Sequence, residues 1–340
     1  MCLPMNSNPY AIWRLFFDEE AVDLETINTS HGDADFREVL IFTLASGEKR
    51  IIKLADNDFT FPAKIEMWKQ TAEEYRRLGY YCPAIFYDRT GAFPKVKYQG
   101  HECVAYGEEF APYSVAQQRD QEDVAEPNRF EELAWIMTAK VAAQHFDYTA
   151  FPSGYCLFET FCPSDETDEV LENALNWKAY ADTLPQEVQE QVQRIWQLWT
   201  ENRRQLEAIY HELPSSVFQA DLNPTNILVD NNGQFAGIFD FNICGREVFL
   251  NYLFREIFNM DFQQEIDRIC ATLQTVSRYY SFSGAEKNAA LMLYRCLKPL
   301  WFNKLQKLKR LKDDLPAVKD YLTETEHYLT RPIDFEKWMG

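Results

Sequence analysis

Asp221, Asn226 and Asp240 lie in one short segment, Phe218 to Phe241, and together they form a set suited to phosphoryl transfer. In that reaction negative charge spreads over the phosphate oxygens, so a protein supplies alignment and metal ions more than covalent chemistry. Magnesium takes hard oxygen ligands, one or two carboxylates together with the substrate phosphates. Asn226 and Asp240 can offer such oxygens. Asp221, five residues before Asn226, can accept the proton of an attacking hydroxyl.

The elements that must position these groups can be read around them. Pro224 fixes a turn inside a polar loop, and Ile227-Leu228-Val229 has the apolar run of a short buried strand. Asp230-Asn231-Asn232-Gly233 is a hairpin turn, and Phe235 to Phe239 is the returning strand that ends on Asp240. A loop therefore presents Asp221 and Asn226, and the hairpin returns Asp240 to the same end. The spacing Asp-x-x-x-x-Asn, followed by Asp-Phe at a strand end, matches the catalytic-loop and metal-loop pattern of kinases.

The run Gln219-Ala220-Asp221-Leu222-Asn223-Pro224-Thr225-Asn226-Ile227-Leu228-Val229 resembles the His-Gly-Asp-Leu-His-Pro-Gly-Asn-Ile-Leu motif of the aminoglycoside phosphotransferase and choline kinase-like family. Gly237-Ile238-Phe239-Asp240-Phe241 resembles that family's Gly-Val-Ile-Asp-Phe-Gly. The resemblance implies an α+β, protein-kinase-like two-lobe fold: a small N-terminal lobe with an antiparallel sheet plus a helix, then a larger, mainly helical lobe. It implies lobes at 1–105 and 113–340 with a hinge at 106–112. It implies a kinase that uses Mg²⁺ and takes ATP or GTP as donor, with Asp221 as base and Asn226 and Asp240 on the metal. The departures are Gln219-Ala220 for His-Gly, Asn223 for His and Asn242 for the last Gly. They motivate an alternative, a nucleotide-binding pseudokinase with a regulatory or scaffold role.

A kinase-like site makes demands on the first lobe. Lys53, in Arg50-Ile51-Ile52-Lys53-Leu54, stands where a strand lysine should meet nucleotide phosphates. Glu66, Glu73 and Glu74 lie near one face of the following helix, so spacing does not choose its partner. The resemblance favours Glu73 or Glu74. No Gly-x-Gly-x-x-Gly is present. The turn Ser30-His31-Gly32-Asp33 stands between the first two strands, where backbone amides and the Ser30 hydroxyl could cover phosphates. Cys103 to Ala111, with Tyr106 and Glu108, would form the hinge around the base.

Along the first ~110 residues, strands are expected at 22–29, 36–44, 50–54, 84–87, 96–98 and 103–106, and a helix from Pro62 to Leu78 stopped by Gly79. Helices are expected at 130–146, 185–213 and 297–312, the last carrying a basic stripe. Ser164 to Glu172 reads as an acidic, solvated loop.

The composition bounds the rest. The 340 residues carry a net charge of −19 and are 46% hydrophobic and 15% aromatic, so the chain has ample material for a core. An excess of acid argues against nucleic acid or anionic membrane surfaces as partners. A nucleotide and a small-molecule acceptor remain, and Glu247, Glu256 and Asp261 would suit a cationic one. Eight scattered cysteines form no Cys-x-x-Cys pair, which argues for reduced thiols. With no signal-peptide pattern and no run of ~20 apolar residues, a cytoplasmic protein is expected.

Overall fold

The computed structural model describes residues 8–32, 34–117, 129–258 and 260–340. Asp33, at the end of the expected first turn, lies outside them. In chain order the elements begin with α1 (Pro9–Phe16), β1 (Ala21–Asn28), β2 (Phe36–Leu44), β3 (Lys49–Asp56) and α2 (Pro62–Arg77). There follow β4 (Ile85–Phe86), β5 (Lys95–Tyr98), β6 (His101–Glu109) and β7 (Ser114–Val115). Helices α3 (Glu131–Ala142), α4 (Glu169–Ala181) and α5 (Gln186–Tyr210) precede β8 (Ser215–Phe218). A 3-10 turn at Pro224–Asn226 leads into β9 (Ile227–Val229), β10 (Phe235–Ile238) and β11 (Gly245–Val248). The chain closes with α6 (Phe249–Glu256), α7 (Phe262–Val276), α8 (Gly284–Leu297), α9 (Phe302–Arg310), α10 (Leu315–Thr330) and a 3-10 turn at Glu336–Trp338.

Two compact units emerge. The first comprises 1–130, 162–164 and 221–245; the second comprises 131–161, 165–220 and 246–340. The contacts thus do not divide the chain at 105 and 113. They group the segment that carries Asp221, Asn226 and Asp240 with the N-terminal strands.

In the first unit a six-stranded sheet runs β1-β2-β3-β6-β4, with β5 also on β6, and every pairing is antiparallel. Successive side chains on a strand point to opposite faces, and this sheet uses the two faces differently. Leu40, Phe42 and Leu44 of β2, Ile52 and Leu54 of β3, and Cys103 and Ala105 of β6 pack with Ile12, Trp13 and Phe16 of α1. The alternate positions Arg37, Val39 and Ile41, Ile51 and Lys53, and Tyr106 and Glu108 line a cavity. Helix α1 was not foreseen from the sequence, yet it covers the apolar face whose burial frees the other for ligand. Pro62 at the first position starts α2 where expected.

Strand β6 runs on through the start of the expected hinge: Tyr106 to Glu109 are its second half, paired to Lys53, Ile52, Ile51 and Arg50 in turn. A second, three-stranded sheet, β10-β9-β7, holds the hairpin read from the sequence. Gly237 is required there: a β-carbon would sit 2.2 Å from the Tyr81 carbonyl oxygen, which accepts from the Ile238 amide at 3.0 Å.

The second unit is helical apart from the β8–β11 pair. Trp177 of α4 and Trp199 of α5 are fully buried. The Trp199 indole donates to the Cys296 carbonyl at 3.0 Å, and the Asn202 amide to that of Met292 at 2.8 Å, tying α5 to α8. The stretch 164–172 is not a solvated loop throughout. Asp168 is buried, caps α4 by accepting from Leu171 N, and forms an ion pair with Arg203. The basic stretch is split as well: Lys298 is buried and donates to the Ile257 carbonyl, while α9 carries Lys304, Lys307, Lys309 and Arg310. Cys82, Cys103, Cys156, Cys244, Cys270 and Cys296 are buried free thiols.

Candidate active site

The cavity in the first unit has a volume of about 580 Å³, and every residue lining it belongs to that unit. Its sheet wall is apolar at Ile27, Val39, Ile41 and Ile51 and charged at Arg37, Lys53 and Glu108. Leu228, Phe239, Asp240 and Asn242 come from the β9–β10 hairpin and the loop after it, and Phe110, Ala111 and Tyr113 from the segment after β6. An apolar slot with charge at one part of its wall suits a flat base joined to an anionic tail.

Lys53 is the centre of the charged part. Its Nζ lies 3.0 Å from Glu108 Oε2 and 3.9 Å from Asp240 Oδ1. Burial pulls the ammonium toward its neutral form, but the carboxylates of Glu108 and Asp240 outweigh that, and its pKa is held above the ordinary value. Burial likewise pushes the Glu108 carboxyl up, against the pull of Lys53.

This geometry corrects the expected partner of Lys53. Glu73 is exposed and pairs with Lys69 one turn away on α2. Glu74 is buried but pairs with Arg77 at 3.0 Å. Glu66 accepts from the Tyr87 hydroxyl at 2.7 Å. From α2, the cavity receives Trp68.

Asp240 sits at the end of the hairpin with φ +61°, a backbone region costly for a residue with a β-carbon. Asn226 stands at the same end, because β10 pairs Ile238 with Ile227 and the Phe239 amide donates to the Asn226 carbonyl at 3.1 Å. The Asn226 amide nitrogen donates to Asp221 Oδ2 at 2.9 Å and to the Asp221 carbonyl at 3.0 Å. The Asn223 amide donates to Asp221 Oδ1 at 2.7 Å. Both carboxylate oxygens of Asp221 are thus oriented by neutral amides. The Oδ1 of Asn226 is buried with no hydrogen-bond partner. An orphaned, hard oxygen beside a carboxylate loop fits a magnesium ligand set of Asn226 and Asp240.

The remaining candidates fall elsewhere. The Ser30 hydroxyl accepts from the Arg37 amide at 2.9 Å and donates to its carbonyl at 3.2 Å, so it staples the β1–β2 connection, and the neighbour that lines the cavity is Thr29. Glu247 is buried in the second unit among neutral donors, and Asp261 caps α7 through Gln263 N and Gln264 N. Sequence reasoning missed Arg37. Its guanidinium pairs with Asp35 at 2.9 Å, and its Nε is buried without a partner at the cavity wall. The signal was available, since Arg37 lies on the same strand face as Val39, which stands opposite Lys53 in the β2–β3 register.

Comparison with known proteins gives the family and the fold. The model of the phosphotransferase enzyme family, APH, matches residues 26–247. The chain belongs to that family of phosphotransferases, with its α+β, protein-kinase-like fold. Two solved structures share the fold at low identity. The microcompartment-associated aminopropanol kinase aligns at TM-score 0.56 and 13% identity, over 94% of this chain and 95% of its own. The amicoumacin kinase hAmiN, in complex with AMP-PNP, Ca²⁺ and Ami, aligns at TM-score 0.52 and 12% identity, over 96% and 95%. Among curated proteins none matches the chain in sequence. Among the described residues no helix is long and apolar enough to cross a membrane.

Proposed function

We propose that the chain transfers the γ-phosphoryl group of ATP or GTP to a hydroxyl of a small molecule. The observation that carries this reading is Lys53 Nζ, 3.9 Å from Asp240 Oδ1 on the wall of a 580 Å³ cavity with an apolar slot. The base would lie between Val39 and Ile51 above and Leu228 below. Lys53 and Arg37 would meet the phosphates. Asn226 and Asp240 would hold Mg²⁺, which when bound would offset phosphate charge. Asp221, fixed by Asn223 and Asn226, would orient the acceptor hydroxyl and take its proton. Alignment and charge neutralisation would supply the rate enhancement.

A nucleotide complex is recorded for the amicoumacin kinase, and the aminopropanol kinase is named for a small amino alcohol. Both support a small-molecule acceptor here without selecting one, because one fold hosts many acceptors. The test is a panel of hydroxyl-bearing metabolites and antibiotics offered with Mg·ATP and Mg·GTP, read by release of nucleoside diphosphate. At least one acceptor should stimulate release by the native chain and leave Asp240→Asn at background. Equal release by both proteins would reject the assignment.

A further inference from the structure

We propose that Glu108, on strand β6, is the positioning residue that holds Lys53 for phosphate, in place of a glutamate on helix α2. This rests on the nucleotide reading of the cavity.

Three observations carry it. The first is the face of α2. Lys64, Trp68, Thr71 and Tyr75 are spaced at helical intervals and all buried, and Trp68, on that face, forms part of the cavity wall. Its ring lies 6.1 Å from that of Tyr106, the direct strand partner of Lys53. A large apolar side chain thus occupies the helix face that would have to carry a carboxylate, while Glu73 and Glu74 are spent on Lys69 and Arg77.

The second is strand register. Tyr106 stands opposite Lys53 and Glu108 opposite Ile51, so Glu108 is the diagonal neighbour of Lys53 on the cavity face. Diagonal neighbours on an antiparallel pair lie within reach of long side chains, and here the charged atoms meet at 3.0 Å. The third is burial. Glu108 is only 7% exposed, so its charge has no solvent alternative to the lysine. Removing one member of such a pair leaves the other costly to ionise.

The consequence is an ammonium set by two strands of one sheet, whatever the position of α2. The groups facing Lys53 are Glu108 and Tyr106 from β6 and Asp240 from the hairpin loop, with Arg37 acting on Tyr106 from β2.

The test uses the full chain and an amine-acylating reagent, with labelling of Lys53 at one fixed, near-neutral pH followed by mass spectrometry. Glu108→Gln should label roughly tenfold faster than the native chain, because the Lys53 amine is no longer held against a carboxylate oxygen at 3.0 Å. Glu108→Asp should stay closer to native. Glu73→Gln and Glu74→Gln should label as the native chain does. In a parallel titration, Mg·ATP affinity should fall about tenfold or more in Glu108→Gln and hold in the two helix variants. Native labelling in Glu108→Gln, or fast labelling in Glu74→Gln, would overturn the proposal. If Glu108→Gln does not fold, the Glu74→Gln and Glu108→Asp arms still decide it. Labelling needs no nucleotide, so a native chain that binds neither Mg·ATP nor Mg·GTP would instead reject the phosphotransferase reading.

Discussion

Two buried glutamates show how the two units spend charge. Glu108, in the first unit, faces a cavity and meets a cation, Lys53 Nζ at 3.0 Å. Glu247, in the second, meets neutral donors: the Ser153 hydroxyl at 2.6 Å, the Val248 amide at 2.8 Å and the Asn251 amide at 2.9 Å, with the Tyr210 hydroxyl at 3.3 Å. Burial pushes both carboxyls up. The first is an ion pair whose cation also lies beside Asp240 and open to a ligand. The second fastens the end of β11 to neighbouring segments. Perturbed ionisation alone therefore does not mark a site; the chemistry of the partners and the space beside them do.

The comparison can be broken most sharply at Asp221. Asp221→Asn should lower turnover by about a hundredfold or more while nucleotide affinity holds, as measured by steady-state kinetics beside a binding titration. An equal loss of affinity would make Asp221 part of the binding surface and not the base. Gly237→Ala tests the scaffold under the same unit. The added carbon, 2.2 Å from the Tyr81 oxygen, should cost about 3 kcal/mol in urea unfolding. An unchanged midpoint would mean the hairpin shifts freely.

Glu247→Gln should act on stability and leave nucleotide affinity intact. The Glu247 carboxyl is raised in the folded state, so the folded chain holds its proton more tightly than the unfolded one. Its contribution is present below about 4.5, the ordinary value, and is lost as pH rises through the folded value. The amide variant should flatten that decline when unfolding free energy is followed against pH. Parallel profiles for the two proteins would assign the decline elsewhere.

Much of the first unit was legible because its signals are local. A run rich in apolar and β-branched residues marked β2 at Phe36–Leu44, Pro62 marked the start of α2, and the turn residues of 230–233 marked the β9–β10 hairpin. Asp221, Asn226 and Asp240 could be grouped because a hairpin returns one to the others. The partner of Lys53 could not, because it depends on the register between β3 and β6, more than fifty residues apart. The end of β6 was read short for a related reason: Gly107 to Glu109 look like a connector until β3 pairs with them. Ser164 to Glu172 misled because Asp168 is buried by a distant arginine, Arg203. Pairings across long stretches of chain, not local propensity, decided each of these.

The central claim, that this cavity binds a nucleotide with its metal on Asn226 and Asp240, is tested most directly by calorimetric titration of ATP and GTP with and without Mg²⁺. The native chain should show saturable, Mg²⁺-dependent binding of at least one nucleotide, and Asp240→Asn should lose the Mg²⁺-dependent part. Binding that is the same in both proteins, or no binding of either nucleotide to the native chain, would contradict the account.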